Sequence, residues 1–206
     1  MPASRRAFLM FSLPAAWAFK SAMAADAAAE PVAVIQRFYD VLLAVMKEAK
    51  HLNFDQRYQR VAPAISQTYN LALMSRLAVG PDWVRLQPAQ QQSVTDAFSR
   101  YTISVYANRF DDYSGERFEV DPNPATNANG VIVQSSITKS DGDKVPLNYL
   151  MRQSADGKWQ VIDIYLSGTI SELATRRSEF SAVLQQGGAD ALVKLLEQRT
   201  AALRTG

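Results

Sequence analysis

Apolar residues recur every three or four positions through the first half of the chain and again near its end, which is the helical period. Pro31 suits the first turn of the first such segment. The predicted helices cover residues 32–50, a segment from about residue 54 that Pro63 breaks or kinks, residues 69–77, and residues 88 to about 113. Near the end, Thr169-Ile170-Ser171-Glu172 predicts a capped helix that Gly187-Gly188 ends, and a last amphipathic helix follows.

The long fourth helix carries two apolar stripes, whose centres lie roughly 120–150° apart around the helix axis. The first stripe comprises Val94, Phe98, Tyr101 and Val105, and the second comprises Ile103, Tyr106, Phe110 and Tyr113. A helix with two apolar faces needs two apolar neighbours. One neighbour is the protein core, and the other is either a further layer of protein or an apolar ligand.

After Gly115 the apolar period changes to two, the period of strands. Residues 116–121 alternate, and further strands are predicted over residues 131–140, 144–154 and 158–167. Helices that precede and follow a run of strands predict an α+β fold with one antiparallel sheet of about four strands. We expect residues 25–206 to form a single domain.

Two hairpin turns set the predicted register of the sheet. Asp141-Gly142 and Asp156-Gly157 are typical of two-residue loops. With such loops, Leu147 pairs with Ser136 and Leu166, Tyr149 with Gln134 and Ile164, and Met151 with Ile132 and Ile162. The drier face of the sheet then carries Ile132, Leu147, Tyr149, Met151, Ile162, Ile164 and Leu166.

The composition removes most catalytic and metal-binding chemistry. Among 206 residues there is no cysteine and one histidine, His51, which excludes disulfides, thiolate sites and histidine clusters. The sequence has no P-loop, EF-hand loop, dinucleotide-binding glycine motif or nucleophile elbow. The neighbouring carboxylates at residues 111–112 and 141–143 are predicted to be solvated. We therefore expect neither an enzyme nor a metal or cofactor site.

The first 24 residues have the pattern of an export signal. A short basic segment, residues 1–6, precedes a mainly apolar run, residues 7–19, and Ala22-Met23-Ala24 forms a cleavage site. The apolar run is shorter than the roughly 20 residues that a membrane span needs. Because Arg5-Arg6 also resembles a twin-arginine signal, the export route, Sec or twin-arginine, stays open. The pattern predicts a periplasmic protein that is cleaved after about Ala24.

The formal net charge of +2 depends on this segment. Without Arg5, Arg6 and Lys20, 19 basic residues instead of 22 remain against 20 acidic ones. A near-neutral chain gives no reason to expect nucleic acid as a partner. The residues that the sequence has in excess are apolar and aromatic, which suits a cavity for hydrocarbon. Hydrocarbon enters water at a cost of about 0.8 kcal/mol per methylene, and a carbon-lined pocket avoids that cost without any catalytic residue.

A series of motifs, spread over nearly the whole predicted mature chain, resembles the MlaC (toluene-tolerance) family of periplasmic lipid-shuttle proteins. The motifs are Phe54-Asp55-Gln56-Arg57, Tyr69-Asn70-Leu71, Met74-Ser75-Arg76, Gly80-Pro81-Asp82-Trp83, Tyr106-Ala107, Tyr113-Ser114-Gly115-Glu116, residues 159–168 and Arg176-Arg177-Ser178-Glu179-Phe180. Ser171 lies three residues after Gly168, whereas the main branch of the family places a serine two residues after that glycine. This variant is similar to the HpnM branch, which is associated with hopanoid biosynthesis.

The resemblance implies a mixed α+β fold with a curved antiparallel sheet and helices that enclose a lipid cavity. It further implies a phospholipid or a hopanoid as the bound ligand, and no cofactor. It also implies an inner-membrane ABC-type lipid transporter complex and an outer-membrane lipid donor or acceptor as partners. We expect a monomer. The candidate lipid-binding residues are Phe38, Leu42, Leu73, Leu77, Phe98, Tyr101, Val105, Tyr149, Met151, Ile162 and Ile164. Arg176 and Arg177 are candidates for contact with a headgroup or an acidic partner.

Two other functions remain possible at this point. A small periplasmic enzyme of the cone fold would use a carboxylate such as Asp163 in an apolar pocket. A structural adaptor would have a solid core and no ligand.

Overall fold

The computed structural model describes the backbone of residues 16–205 and the side chains of residues 30–205. Of the predicted signal peptide, residues 1–24, the first 15 residues lie outside the described part of the chain. The described α-helices are α1 (Ala16–Glu48), α2 (Phe54–Thr68), α3 (Leu71–Val79), α4 (Pro88–Arg109) and α5 (Glu172–Thr205). The strands are β1 (Arg117–Val120), β2 (Ala125–Asn127), β3 (Gly130–Val133), β4 (Ser135–Thr138), β5 (Lys144–Gln153), β6 (Trp159–Leu166) and β7 (Ile170–Ser171). The mixed helix and antiparallel-sheet fold predicted from the sequence is confirmed.

The helix boundaries differ from prediction at three places. α1 begins at Ala16, so that Pro31 lies inside it, and the added segment is rich in alanine, the strongest helix former. α2 continues through Pro63 without a break. α4 ends at Arg109, four residues earlier than predicted. The predicted break at the glycine pair is present, since Gly188 adopts φ 67° and ψ −163° between the two halves of α5.

The seven strands form four rows and a short edge. β1 and β2 lie in one row beside β4 and β3, which form the second row. β5 makes the third row and pairs with both β4 and β3, and β6 makes the fourth row, with β7 at its edge. Interruptions at residues 121–124 and at Gln134 divide the first two rows. The prediction of about four strands therefore describes the rows and misses their breaks.

The predicted register between the second and third rows is off by one residue. The structure pairs Ser136 with Pro146 and Val133 with Tyr149. The cause is the first hairpin loop: Lys139 N–H donates to the Asp143 carbonyl, which leaves three loop residues instead of two. One extra loop residue moves every side chain of a strand to the opposite face relative to its partner. Val133, and not Ile132, therefore shares the inner face with Tyr149.

In the second hairpin the predicted register is also off by one residue near the loop, and a β-bulge restores it further along the strands. Ser154 N–H donates to the Lys158 carbonyl, so that this loop also has three residues. Near the loop Met151 pairs with Val161, not with Ile162 as predicted. The register then shifts between Leu150 and Met151, and the predicted pairs of Tyr149 with Ile164 and of Leu147 with Leu166 are both present. The extra residue of a bulge accounts for this recovery.

The core extends from the inner face of the sheet, which carries Tyr149, across α1 to the packed faces of α2, α3, α4 and α5. Phe38 is 1% exposed, and its ring centroid lies 5.3 Å from that of Tyr69 and 5.5 Å from that of Tyr106, both in edge-to-face geometry. The hydroxyl groups of Tyr69 and Tyr106 are 2.5 Å apart, and Tyr39 Oη lies 2.6 Å from Ser135 Oγ. These aromatic rings are thus packed in apolar surroundings, and hydrogen bonds satisfy the polar ends of Tyr39, Tyr69 and Tyr106.

We expect the stability of the fold to decrease above about pH 10, the ordinary pKa of tyrosine. Burial raises the pKa of Tyr39 from 10.0 to about 12, against the opposing effect of its hydrogen bond with Ser135. Between those values the unfolded chain has released this proton while the folded chain still holds it, so the free energy of unfolding falls as pH rises. For Tyr39 alone the loss is about 3 kcal/mol.

Urea unfolding at a series of pH values between about 9 and 12 measures this loss. Tyr39→Phe has no proton to release at this position, and we expect its stability to fall less steeply over the same range. Equal slopes in the two proteins would contradict the role assigned to Tyr39.

Candidate functional site

A cavity of about 420 Å³ lies between α4, the inner face of the sheet and the start of α5. α4 packs against α2, α3 and α5, while the cavity occupies the space between α4 and the strands β4, β5 and β6. The volume falls within the range of roughly 300–1,000 Å³ that small-molecule sites occupy. The fold therefore contains a space large enough for a ligand.

The interior of the cavity is lined by apolar side chains from every surrounding element. Ile137 pairs with Val145, and Leu147 pairs with Leu166, so these four side chains lie on the same face of the sheet. The apolar lining comprises Met46, Met74, Phe98, Val105, Tyr106, Phe110, Ile137, Val145, Leu147, Ile164, Leu166 and Leu173. Such a lining offers dispersion contacts and excludes water, but no group that reacts.

The α4 side of the cavity is a single helical face. Phe98, Thr102, Val105, Tyr106 and Arg109 follow one another at spacings of three or four residues, or directly, and all line the cavity. The face therefore combines members of both predicted stripes. The hydroxyl group of Tyr106 is directed to Tyr69, and burial raises the pKa of Tyr106, which keeps this side chain neutral.

Seven charged side chains also line the cavity, and the exposed ones lie where it meets solvent. Arg109, Asp111 and Asp112 follow one another at and beyond the end of α4, and Lys139 follows β4; all four are exposed. Glu116, Glu172 and Arg176 complete the charged lining. The site is thus dry inside and charged at the opening. We refer to these seven residues as the charged rim.

Four of the predicted site residues line this cavity: Phe98, Val105, Ile164 and Arg176. The Arg176 side chain forms an ion pair with Glu172, and its guanidinium carbon lies 5.0 Å from the centre of the Tyr101 ring. Tyr101 itself faces α5 and does not line the cavity. Arg177 has a structural contact, since its Nε and Nη2 donate to the Leu77 carbonyl at 3.0 and 2.8 Å.

The other predicted site residues lie elsewhere in the fold. Leu42, Tyr149 and Met151 are fully buried in the core, and Tyr149 and Met151 share the inner sheet face with Ile164. Phe38 is also a core residue and borders a second, open cleft of about 380 Å³ beside Trp159. Leu73 and Leu77 on α3 are half-buried outside the cavity, where Met74 is the α3 residue that lines it. Ile162 is buried where the register shifts and lies outside the main core cluster.

The sequence interpretation missed the rim residues Arg109 and Lys139. It also missed the cavity residues of β4 and β5 such as Ile137 and Val145. The sequence did contain a signal for the cavity residues of α4, because Thr102, Tyr106 and Arg109 follow Phe98 at helical spacings of four, four and three residues. The sheet residues depended on the register, which the hairpin loops alter.

The carboxylate of Asp163 does not line the cavity. It accepts hydrogen bonds from the backbone N–H groups of Ile164 and Leu173, at 2.8 and 3.2 Å, and from the Ser171 hydroxyl at 2.6 Å. Asp163 therefore anchors the start of α5 to β6, and the pocket carboxylate that the enzyme hypothesis requires is not at this position. In the part of the chain that the structure describes, no three His, Asp or Glu side chains are grouped in a way that would hold a metal ion.

None of the described helices has both the length and the apolar character to span a bilayer.

Comparison with known proteins places this architecture in a family. The sequence model described as "MlaC protein" matches residues 36–198, a range that begins within α1, ends within α5 and includes every element between them. The chain belongs to the MlaC family. Proteins of this family are periplasmic.

A solved structure shares the fold. It is a phospholipid-binding protein from Ralstonia solanacearum, determined in complex with a phospholipid. The two chains are 28% identical, the TM-score is 0.72, and the match covers 85% of this chain and 98% of the other.

Proposed function

We propose that this protein is a periplasmic lipid carrier that holds the hydrocarbon part of a phospholipid in the cavity between α4 and the sheet. The observation that carries the proposal is the contrast between the apolar side chains of the cavity and its charged rim. A lipid has the same division between its tails and its headgroup. Membership of the MlaC family and the similarity to a phospholipid-binding protein support this proposal.

The energetics favour a carrier that shields the tails. Each methylene that leaves a membrane for water costs about 0.8 kcal/mol, so a free lipid exchanges slowly between bilayers. Buried cavity residues such as Phe98 and Leu173, each no more than 2% exposed, offer the tails a dry environment in place of the bilayer. The two methionines, Met46 and Met74, are flexible enough to adapt to tails of different shape.

The carrier exchanges lipid with an ABC-type transporter complex in the inner membrane and with a lipid donor or acceptor at the outer membrane. It is exported with a signal peptide that ends at about Ala24. The hopanoid that the HpnM-like serine spacing suggests is the alternative ligand.

The experiment that tests the proposed function is native mass spectrometry of the mature protein purified from its own host, followed by solvent extraction and lipid analysis. We expect a mass above that of the bare chain and a phosphorus-containing lipid in the extract. A hopanoid in the extract would contradict the assignment of phospholipid. Repeated preparations that show only the bare chain mass would favour the structural adaptor and overturn the proposed function.

A further inference from the structure

The rim of the cavity carries unequal charges, three cationic side chains and four carboxylates. Part of this charge is already neutralised inside the protein. Arg176 is paired with Glu172, and Asp112 lies 3.5 Å from Lys50 Nζ. These pairs leave little charge for a ligand.

Arg109 and Lys139 are different. Neither side chain forms an ion pair or a hydrogen bond with any residue whose side chain the structure describes, although both line the cavity. Arg109 is the last residue of α4, and Lys139 follows β4, so that one cation comes from the helical wall of the cavity and the other from its sheet wall. Together they offer a guanidinium and an ammonium group at the edge of a dry cavity, which suits a phosphate oxygen pair.

Two carboxylates of the rim also lack a cationic partner. Asp111 and Glu116 form no ion pair within residues 30–205, and Glu116 accepts a hydrogen bond from the Ser114 N–H at 2.7 Å. Like charges repel, so these carboxylates disfavour a headgroup with a net negative charge. They favour a cationic group that stands next to the phosphate.

We propose that the charged rim selects a zwitterionic phosphodiester headgroup, with Arg109 and Lys139 binding the phosphate and Asp111 and Glu116 facing the ammonium group. This inference depends on the proposed function, because a headgroup stands at the rim only when its tails fill the cavity. It adds a preference that the apolar interior does not have. A diacylglycerol has the same tails and no phosphate, phosphatidylglycerol has the phosphate and no ammonium group, and a hopanoid lacks the phosphate as well.

The test is a competition for the delipidated protein among three lipids with identical tails: phosphatidylethanolamine, phosphatidylglycerol and diacylglycerol. Native mass spectrometry measures the bound fraction of each. We expect phosphatidylethanolamine to be preferred by about tenfold over either competitor, since charge-assisted hydrogen bonds supply the difference. In Arg109→Gln/Lys139→Gln the preference over diacylglycerol is expected to disappear. In Asp111→Asn/Glu116→Gln the preference over phosphatidylglycerol is expected to disappear.

A matched control makes the same change of charge away from the cavity. Arg76→Gln/Lys194→Gln removes one arginine and one lysine from exposed helix positions, and we expect it to keep the full preference. If the control loses the preference to the same degree, or if the native protein binds all three lipids equally, the headgroup proposal is overturned while lipid carriage stands. If none of the three lipids binds, the proposed function fails and this inference fails with it.

Discussion

Val105→Asp is expected to abolish lipid loading while the protein remains folded. Val105 lies in the middle of the α4 face that lines the cavity, and its side chain is only half-buried because it borders that open space. A carboxylate at this position keeps its water as long as the cavity is empty. When a lipid tail enters, the carboxylate must lose that water without gaining a partner, which costs several kcal/mol. We expect a reduction in bound lipid of about 100-fold.

Phe98 is a less informative position for the same test. It also lines the cavity, but it is 1% exposed and its ring packs edge-to-face with Phe180 at 6.5 Å between centroids. Phe98→Asp would place a carboxylate in the core, so that loss of lipid and loss of folding would occur together. Val105 separates the two effects.

The matched control is Val84→Asp, the same substitution at a residue that is 77% exposed and lies outside the cavity. We expect it to retain the lipid content of the native protein. Extracted lipid per chain and the thermal unfolding midpoint are measured for both variants. A folded Val105→Asp protein with normal lipid content would place the hydrocarbon elsewhere in the molecule.

If instead Val105→Asp unfolds, Val105→Asn and Val105→Trp provide the second measurement, because both keep the site uncharged. The Trp side chain fills part of the cavity and must reduce lipid loading. A normal lipid content in Val105→Trp would also contradict the site.

Asp163→Ala is expected to have the largest effect on stability, about 3 kcal/mol. Asp163 is 9% exposed, and its carboxylate accepts three hydrogen bonds. Its loss leaves the N–H groups of Ile164 and Leu173 and the Ser171 hydroxyl without their carboxylate partner. Ser171 also accepts a hydrogen bond from Ala174 N–H at 2.9 Å as the N-terminal cap of α5. We therefore expect the first turn of α5 to fray and the unfolding midpoint to fall by about 10 °C.

Asp190→Ala provides the comparison, since Asp190 is an exposed residue of α5. We expect its unfolding midpoint to stay close to that of the native protein. Asp163→Asn keeps one oxygen acceptor and should lie between the two. An Asp163→Ala protein as stable as the native chain would show that the three hydrogen bonds contribute nothing. Loss of a catalytic turnover at unchanged stability would instead revive the enzyme hypothesis.

The distribution of helices and strands followed from local features of the sequence. The apolar period, the turn glycines and the capping residues act over a few residues, and these placed most elements close to their positions in the structure. The predicted pairing of Tyr149 with Ile164 also proved correct, although the loop length behind it was not. The bulge beyond Leu150 compensated for the extra loop residue.

Other features depended on distant parts of the chain. Met151 and Ile164 are both apolar core residues on the same face of the sheet, yet only Ile164 also borders the cavity. Arg176 and Arg177 are neighbours in sequence, but one lies at the rim and the other binds the Leu77 carbonyl. Neither difference has a local cause.

The sequence alone determined an α+β chain with little catalytic chemistry, a surplus of apolar side chains and the motifs of its family. Tertiary structure decided where the cavity lies, which side chains border it and which charges surround its opening. The physical reason is that a cavity is a gap between elements. Its position depends on how α4 is held away from the sheet by α2, α3 and α5, and no single segment contains that distance.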